Sequence, residues 1–118
     1  MIGNIIRDKS YEFALRIIKM YKYIIKNNVE YVLAKQLLRS GTSIGANVEE
    51  ACSAQSRKDF ISKLSIAQKE AFETSYWLRL LRDSGEIKKE YADDILKDCD
   101  EIISILTSIL KTTKSNTK

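Results

Sequence analysis

The fold is decided by residues 36–81, which read QLLRSGTSIGANVEEACSAQSRKDFISKLSIAQKEAFETSYWLRLL. Apolar residues recur in this segment at spacings of three and four, which is the period of an amphipathic α-helix. Its two glycines, Gly41 and Gly45, fall one helical turn apart on the apolar face, where their missing side chains would let a neighbouring helix approach closely. The apolar register before Gly41 resumes in phase after Gly45, which favours one continuous helix over a loop between two short ones.

The same period divides the rest of the 118-residue chain, which contains no proline and only four glycines. A chain with so few turn-forming residues is poorly suited to the many short connections of a β-sandwich or barrel. We therefore predict an all-α protein with a single domain spanning residues 1–118, folded as an antiparallel up-down-up-down four-helix bundle. Its helices are predicted at about 10–26, 30–53, 57–84 and 88–111, followed by a frayed polar tail at 112–118.

Local signals mark the predicted helix boundaries. Asn27 and Asn28 favour a turn, since their side chains compete for backbone hydrogen bonds. Ser56, followed by Asp59 three residues later, resembles a capping box that begins the third helix. Gly85 is placed to end that helix in a left-handed conformation.

Composition argues against several classes of protein. Hydrophobic residues make up 44% and charged residues 31% of the chain, and no apolar run approaches the ~20 residues of a membrane span. The N-terminus shows no export signal. We therefore expect a cytoplasmic protein that does not bind a membrane. Cys52 and Cys99 have no metal-ligand spacing, and both are expected to be small apolar side chains of the interior.

The chain contains no histidine, so it lacks the commonest general base and the commonest metal ligand. We therefore expect no enzyme, no metal and no cofactor. Four carboxylates are spaced so that a bundle metal site has to be considered, but such sites usually include a Glu-x-x-His pair. We expect these carboxylates to form salt bridges with Arg39, Lys63 or Lys69 instead. The four residues are Glu49, Glu50, Glu70 and Glu73.

The first helix is the basic element of the chain. Residues 1–28 hold six basic and two acidic groups, whereas residues 86–118 hold six basic and seven acidic groups. Basic residues form a stripe along this helix. A basic stripe suits contact with nucleic-acid phosphates, and an aromatic ring within it could stack on an unpaired base. An ordinary solvated face would show the same pattern. The stripe lies opposite the apolar face and consists of Lys9, Arg16, Lys19, Tyr23 and Lys26.

The third helix carries more apolar surface than one position in a bundle buries. Exposed apolar patches usually mark protein contacts, so we expect self-association through this helix, with isolated surface hydrophobes as the alternative. The candidate oligomer interface flanks the central apolar stripe of the helix and consists of Ile61, Ile66, Phe72, Trp77 and Leu80.

A polar stripe follows the second helix on the face opposite the glycines. Solvent contact and hydrogen bonding across a subunit interface are both open for it. Its members are Arg39, Ser43, Asn47 and Glu50.

The segment from Gln36 to Leu81 closely resembles the four-helix-bundle family of proteins encoded by intervening sequences in bacterial large-subunit ribosomal RNA genes. A supporting match at residues 9–14 extends the resemblance over nearly the whole chain. The elements that carry it are residues 39–47 (RSGTSIGAN), Glu50-Ala51, 58–60 (KDF), Lys63-Leu64, 69–71 (KEA), Glu73-Thr74 and 76–79 (YWLR).

The resemblance implies a continuous second helix and a ring of five subunits. Related accessory proteins of diversity-generating retroelements form similar pentamers that bind nucleic acid and a reverse transcriptase. We therefore expect a non-catalytic homo-oligomer, a homopentamer, that binds structured RNA or DNA through the basic first helix. The alternative is a protein-interaction scaffold that docks a partner enzyme such as a retroelement reverse transcriptase.

Overall fold

The structure is a computed structural model that describes residues 4–27 and 31–115. These residues contain no β-strand and form four helices: α1 (Asn4–Asn27), α2 (Val32–Cys52), α3 (Arg57–Asp83) and α4 (Lys89–Ser115). In this part of the chain, no helix is both long enough and apolar enough to cross a membrane.

The four helices share one apolar core. In α1 the core residues follow spacings of seven, four, three and four, so that one side of the helix is buried. The other helices contribute in the same way, with small residues Ala67 and Ala71 on α3. The fully buried apolar residues of α1 are Ile6, Phe13, Ile17, Met20 and Ile24.

Each helix packs against two others: α2 and α4 both contact α1 and α3. The start of α1 meets the end of α2, where Arg7 Nη2 lies 2.8 Å from Glu49 Oε1. The end of α2 meets the start of α3, where Lys63 Nζ lies 2.7 Å from Glu50 Oε1. Among the described residues α1 does not approach α3, so these two helices occupy opposite corners of the bundle.

The continuity of α2 through both glycines is confirmed. A Cβ atom added at Gly41 would lie 2.8 Å from two side-chain carbons of Ile17, and one added at Gly45 would lie 3.3 Å from the backbone oxygen of Ser10. The glycines therefore allow α1 to pack closely on α2, as predicted.

The predicted boundaries of α3 are also confirmed. Ser56 accepts a hydrogen bond from the backbone N–H of Asp59 at 3.0 Å, which is the capping contact that the sequence indicates. Gly85 has φ +83°, the left-handed conformation expected after the helix.

The ends of the other helices differ from the prediction. Helix α1 begins at residue 4 instead of about 10, because Ile6 is buried in phase with the core and Ser10 lies inside the helix. Helix α4 continues to residue 115, so the tail predicted to fray from residue 112 is helical as far as 115. There the half-buried Thr113 donates a hydrogen bond from Oγ1 to the backbone oxygen of Ile109. The rest of that tail, with Asn28 and residue 30, lies outside the described residues.

Candidate nucleic-acid interface

Two of the four cations in the predicted basic stripe bind acidic side chains of α4. Lys9 Nζ lies 2.7 Å from Glu101 Oε1. The Arg16 guanidinium binds Asp94 at 2.8 Å and also binds Asp98. Partial burial alone lowers the pKa of Arg16, but the hydrogen bonds and negative charges of Asp98 and Asp94 outweigh it and raise that pKa. These two cations are therefore already neutralised within the chain.

Tyr23 is partly buried between α1 and α4. Its ring packs edge-on against Tyr91, with 5.6 Å between ring centroids, and it contacts the core. Because the Tyr23 ring is packed in this way, less of its face is available to stack on a base than the predicted role requires. The same flank of α1 therefore serves to pack α4.

Lys19 and Lys26 differ from the other two cations of the stripe. Both are exposed, and neither forms an ion pair with any described residue. No acidic residue occurs between 13 and 27, so the second half of α1 carries only positive charge. Lys19 stands one turn from Arg16 and Tyr23, both of which contact α4. The unpaired cationic surface therefore lies on the flank of α1 that faces α4.

The polar stripe of α2 lies along its seam with α3. Arg39 binds Glu70 at 3.4 Å and also binds Glu73. Glu50 pairs with Lys63, while Ser43 and Asn47 bond to backbone oxygens one turn earlier in α2. The expected salt bridges of Glu50, Glu70 and Glu73 to Lys63 and Arg39 are thus confirmed, whereas Glu49 binds Arg7 instead.

The predicted interface residues of α3 separate into two groups. Phe72 and Ile66 have 54% and 38% of their surface exposed. Ile61, Trp77 and Leu80 are half-buried, and Ile61 and Trp77 pack against the core. Trp77 Nε1 is buried with no hydrogen-bond acceptor among the described residues.

Several exposed apolar side chains were missed by the sequence analysis. Tyr76 of α3 is 48% exposed, and Tyr11 and Leu15 of α1 are 63% and 45% exposed. Ile25, which periodicity places on the apolar face of α1, is 42% exposed. The spacing of Tyr11 and Leu15 at i and i+4 was the available signal, but Lys22 interrupts the row and hides it.

The interior also contains a polar contact that periodicity does not reveal. Ser40 and Thr74 are buried, with their side-chain oxygens 2.9 Å apart across the α2–α3 seam. Thr74 Oγ1 is also within hydrogen-bond distance of the Glu70 backbone oxygen. The pair fixes the relative height of these two helices.

The two cysteines lie in different surroundings. Cys99 is buried, as predicted, and burial is the main cause that raises the pKa of its thiol to about 12. Cys52 is only half-buried and lines a cavity of about 600 Å³ with Ser56, Arg57 and Thr112. Within residues 4–27 and 31–115, no group of three or more Cys, Asp or Glu side chains is arranged to hold a metal ion.

Comparison with known proteins places this geometry in a family. The model of the 23S rRNA-intervening sequence protein family matches residues 3–108. A crystal structure of a protein of unknown function from the S23 ribosomal protein family of Bacteroides thetaiotaomicron VPI-5482 is 54% identical in sequence, with a TM-score of 0.88. That match covers 90% of this chain and 98% of the other. A search of curated proteins gives no match.

Proposed function

The chain belongs to the family of 23S rRNA-intervening sequence proteins, and from this membership we propose that it is a non-catalytic homo-oligomer that binds structured RNA or DNA. The observation that carries the proposal is the uncompensated positive charge on the second half of α1. Lys19 and Lys26 are free to contact phosphates, whereas Lys9 and Arg16 are bound to α4 and contribute less.

The proposed subunit is an antiparallel up-down-up-down bundle. Its support is that each consecutive pair of helices makes contact between the end of one and the start of the next, as Arg7 does with Glu49. Arg82 at the end of α3 likewise binds Asp93 at the start of α4, at 3.0 Å. This arrangement makes α1 and α3 parallel to each other.

The proposed assembly is a ring of five copies, the number that the family resemblance implies. The two unpaired lysines of the stripe are by themselves a weak site for nucleic acid. A ring repeats them around one surface, and linked weak contacts reinforce one another. Oligomerisation is therefore part of the proposed binding mechanism.

The test is the affinity of the protein for a short RNA hairpin and a DNA duplex of equal length, measured by fluorescence anisotropy at two salt concentrations. We expect the double variant Lys19→Gln/Lys26→Gln to lose affinity by about tenfold or more at low salt, and its affinity to depend less on salt. Lys111→Gln/Lys114→Gln removes the same charge from the end of α4 and should change affinity little. Equal losses in the two double variants, or no loss in the first, would contradict the proposed site.

A second function is favoured by the ion pairs of Lys9 and Arg16. Because half of the predicted stripe binds the chain's own α4, the remaining surface also suits a scaffold that docks a partner enzyme such as a reverse transcriptase. This function predicts an oligomer whose mass, measured by light scattering at low salt, does not increase with RNA or DNA. It also predicts co-elution with a reverse transcriptase from the same genome.

A further inference from the structure

Two apolar stripes face outward from opposite corners of the bundle. The outer stripe of α1 consists of Tyr11, Leu15, Ile18 and Ile25, whose spacings of four, three and seven keep them on one side of the helix. The outer stripe of α3 consists of Ile61, Phe72 and Tyr76, with spacings of eleven and four. Among the described residues α1 and α3 contact only α2 and α4, so the two stripes of one chain do not touch each other.

Contacts to α2 show that the two stripes stand at the same height. Gly41 adjoins Ile17 of α1, and its neighbour Ser40 adjoins Thr74 of α3. Leu15 stands two residues before Ile17, and Phe72 stands two residues before Thr74. Since α1 and α3 run in the same direction, Leu15 and Phe72 are level with each other on opposite corners.

One pair of charged residues beside the stripes is complementary at the level of Leu15 and Phe72. Glu12 stands three residues before Leu15, and Lys69 stands three residues before Phe72. Both side chains are exposed, and neither forms an ion pair with a described residue. One level further along, Lys22 on α1 and Arg79 on α3 carry the same charge. Asp83 lies one turn beyond Arg79 on α3.

We propose that the outer stripe of α1 docks on the outer stripe of α3 of a second copy, with Leu15 against Phe72 and Glu12 against Lys69. The contact is head-to-tail, since it joins two different surfaces, and one type of contact covers both stripes. Because the stripes are level, successive copies are related without translation along the bundle, which is the condition for a closed ring instead of a helical filament. This inference rests on the proposed homo-oligomer and assigns the surfaces that form it.

The assigned contact lies next to the basic flank of α1. Tyr11 and the neighbouring Ala14 line a groove with Thr42 and Ala46 of α2, so the outer stripe leans toward α2. Lys19 lies on the side of α1 that faces α4. Leu15 and Lys19 are four residues apart on α1, so the docking stripe and the proposed nucleic-acid site adjoin along this helix.

The experiment uses Leu15→Glu, which disables the α1 stripe, and Phe72→Glu, which disables the α3 stripe. Each variant alone should have the mass of one 13.5 kDa chain by light scattering, because a buried carboxylate in the contact is costly. An equal mixture should have the mass of two chains, since each variant keeps the stripe that the other lacks. Ser104→Glu, at an exposed position of α4, is the control and should keep the wild-type mass.

Three outcomes would overturn the assignment. A monomeric wild-type chain removes the oligomer and its contact together. An oligomeric wild-type chain whose mass neither variant changes leaves the homo-oligomer intact but excludes these stripes. Monomeric variants that do not pair when mixed exclude the head-to-tail contact between these two stripes. Tyr11→Glu and Tyr76→Glu repeat the test if either first variant fails to fold by circular dichroism.

Discussion

One added carbon atom at Gly41 would lie 2.8 Å from both Cγ1 and Cγ2 of Ile17, closer than carbon atoms pack. Because these atoms are near the Ile17 backbone, they cannot move aside freely. Gly41→Ala is therefore expected to lower the free energy of unfolding by about 1–2 kcal/mol, since overpacking costs about 1–3 kcal/mol and alanine regains up to about 1 kcal/mol of helix propensity. Urea unfolding followed by circular dichroism measures the change.

Gly45→Ala is the matched control for this residue-scale prediction. Its added carbon would lie 3.3 Å from the nearest atom, the backbone oxygen of Ser10, so its net effect should be smaller. Ile17→Ala removes the crowded atoms and should reduce the penalty of Gly41→Ala when the two changes are combined. Strictly additive penalties would mean that Ile17 is not the cause.

At the scale of the element, α3 depends on the cap at its first turn. Ser56 accepts the N–H of Asp59, one of the backbone donors that a helix start leaves unpaired. Ser56→Ala should lower the free energy of unfolding by about 1 kcal/mol, measured by urea unfolding. Ser62→Ala, at an exposed position inside the same helix, should be neutral or slightly stabilising. Equal losses at the two positions would contradict a capping role.

For the molecule as a whole, ion pairs between helices predict a loss of stability in acid. The hydrogen bond from Arg7 holds the pKa of Glu49 below its ordinary value, and hydrogen bonds from Lys89 and Arg82 do the same for the pKa of Asp93. A lowered pKa in the folded state means that the stabilisation is present above the unfolded pKa, near 4. It is lost as the pH falls through the folded pKa. We expect the urea midpoint to fall below about pH 4.

Glu49→Gln tests this pH dependence directly. It removes one titrating group of an interhelical pair, so the urea midpoint should fall less steeply between pH 4 and about pH 2 than in the wild type. Asp100→Asn removes an exposed carboxylate that forms no ion pair with a described residue and should leave the slope unchanged. A steeper slope in Glu49→Gln would contradict the assigned pairing.

The sequence by itself determined the features that depend on neighbours a few residues apart. Helix period, the Ser56 cap and the left-handed Gly85 are all set by contacts within one or two turns, so they could be read from the chain and are confirmed. The continuity of α2 through Gly41 followed from the same period. The start of α1 was missed because its first turn is held by the burial of Ile6 in the core, which no local signal indicates.

Only the tertiary structure decided how the surface side chains are used. Arg16 binds Asp94 and Asp98, which are 78 and 82 residues away, and periodicity cannot indicate which helix lies beside α1. The same packing leaves Lys19 and Lys26 unpaired and exposes Leu15 and Phe72. Local geometry fixes a helix and its faces, whereas the partner of each face depends on elements that meet only when the chain folds.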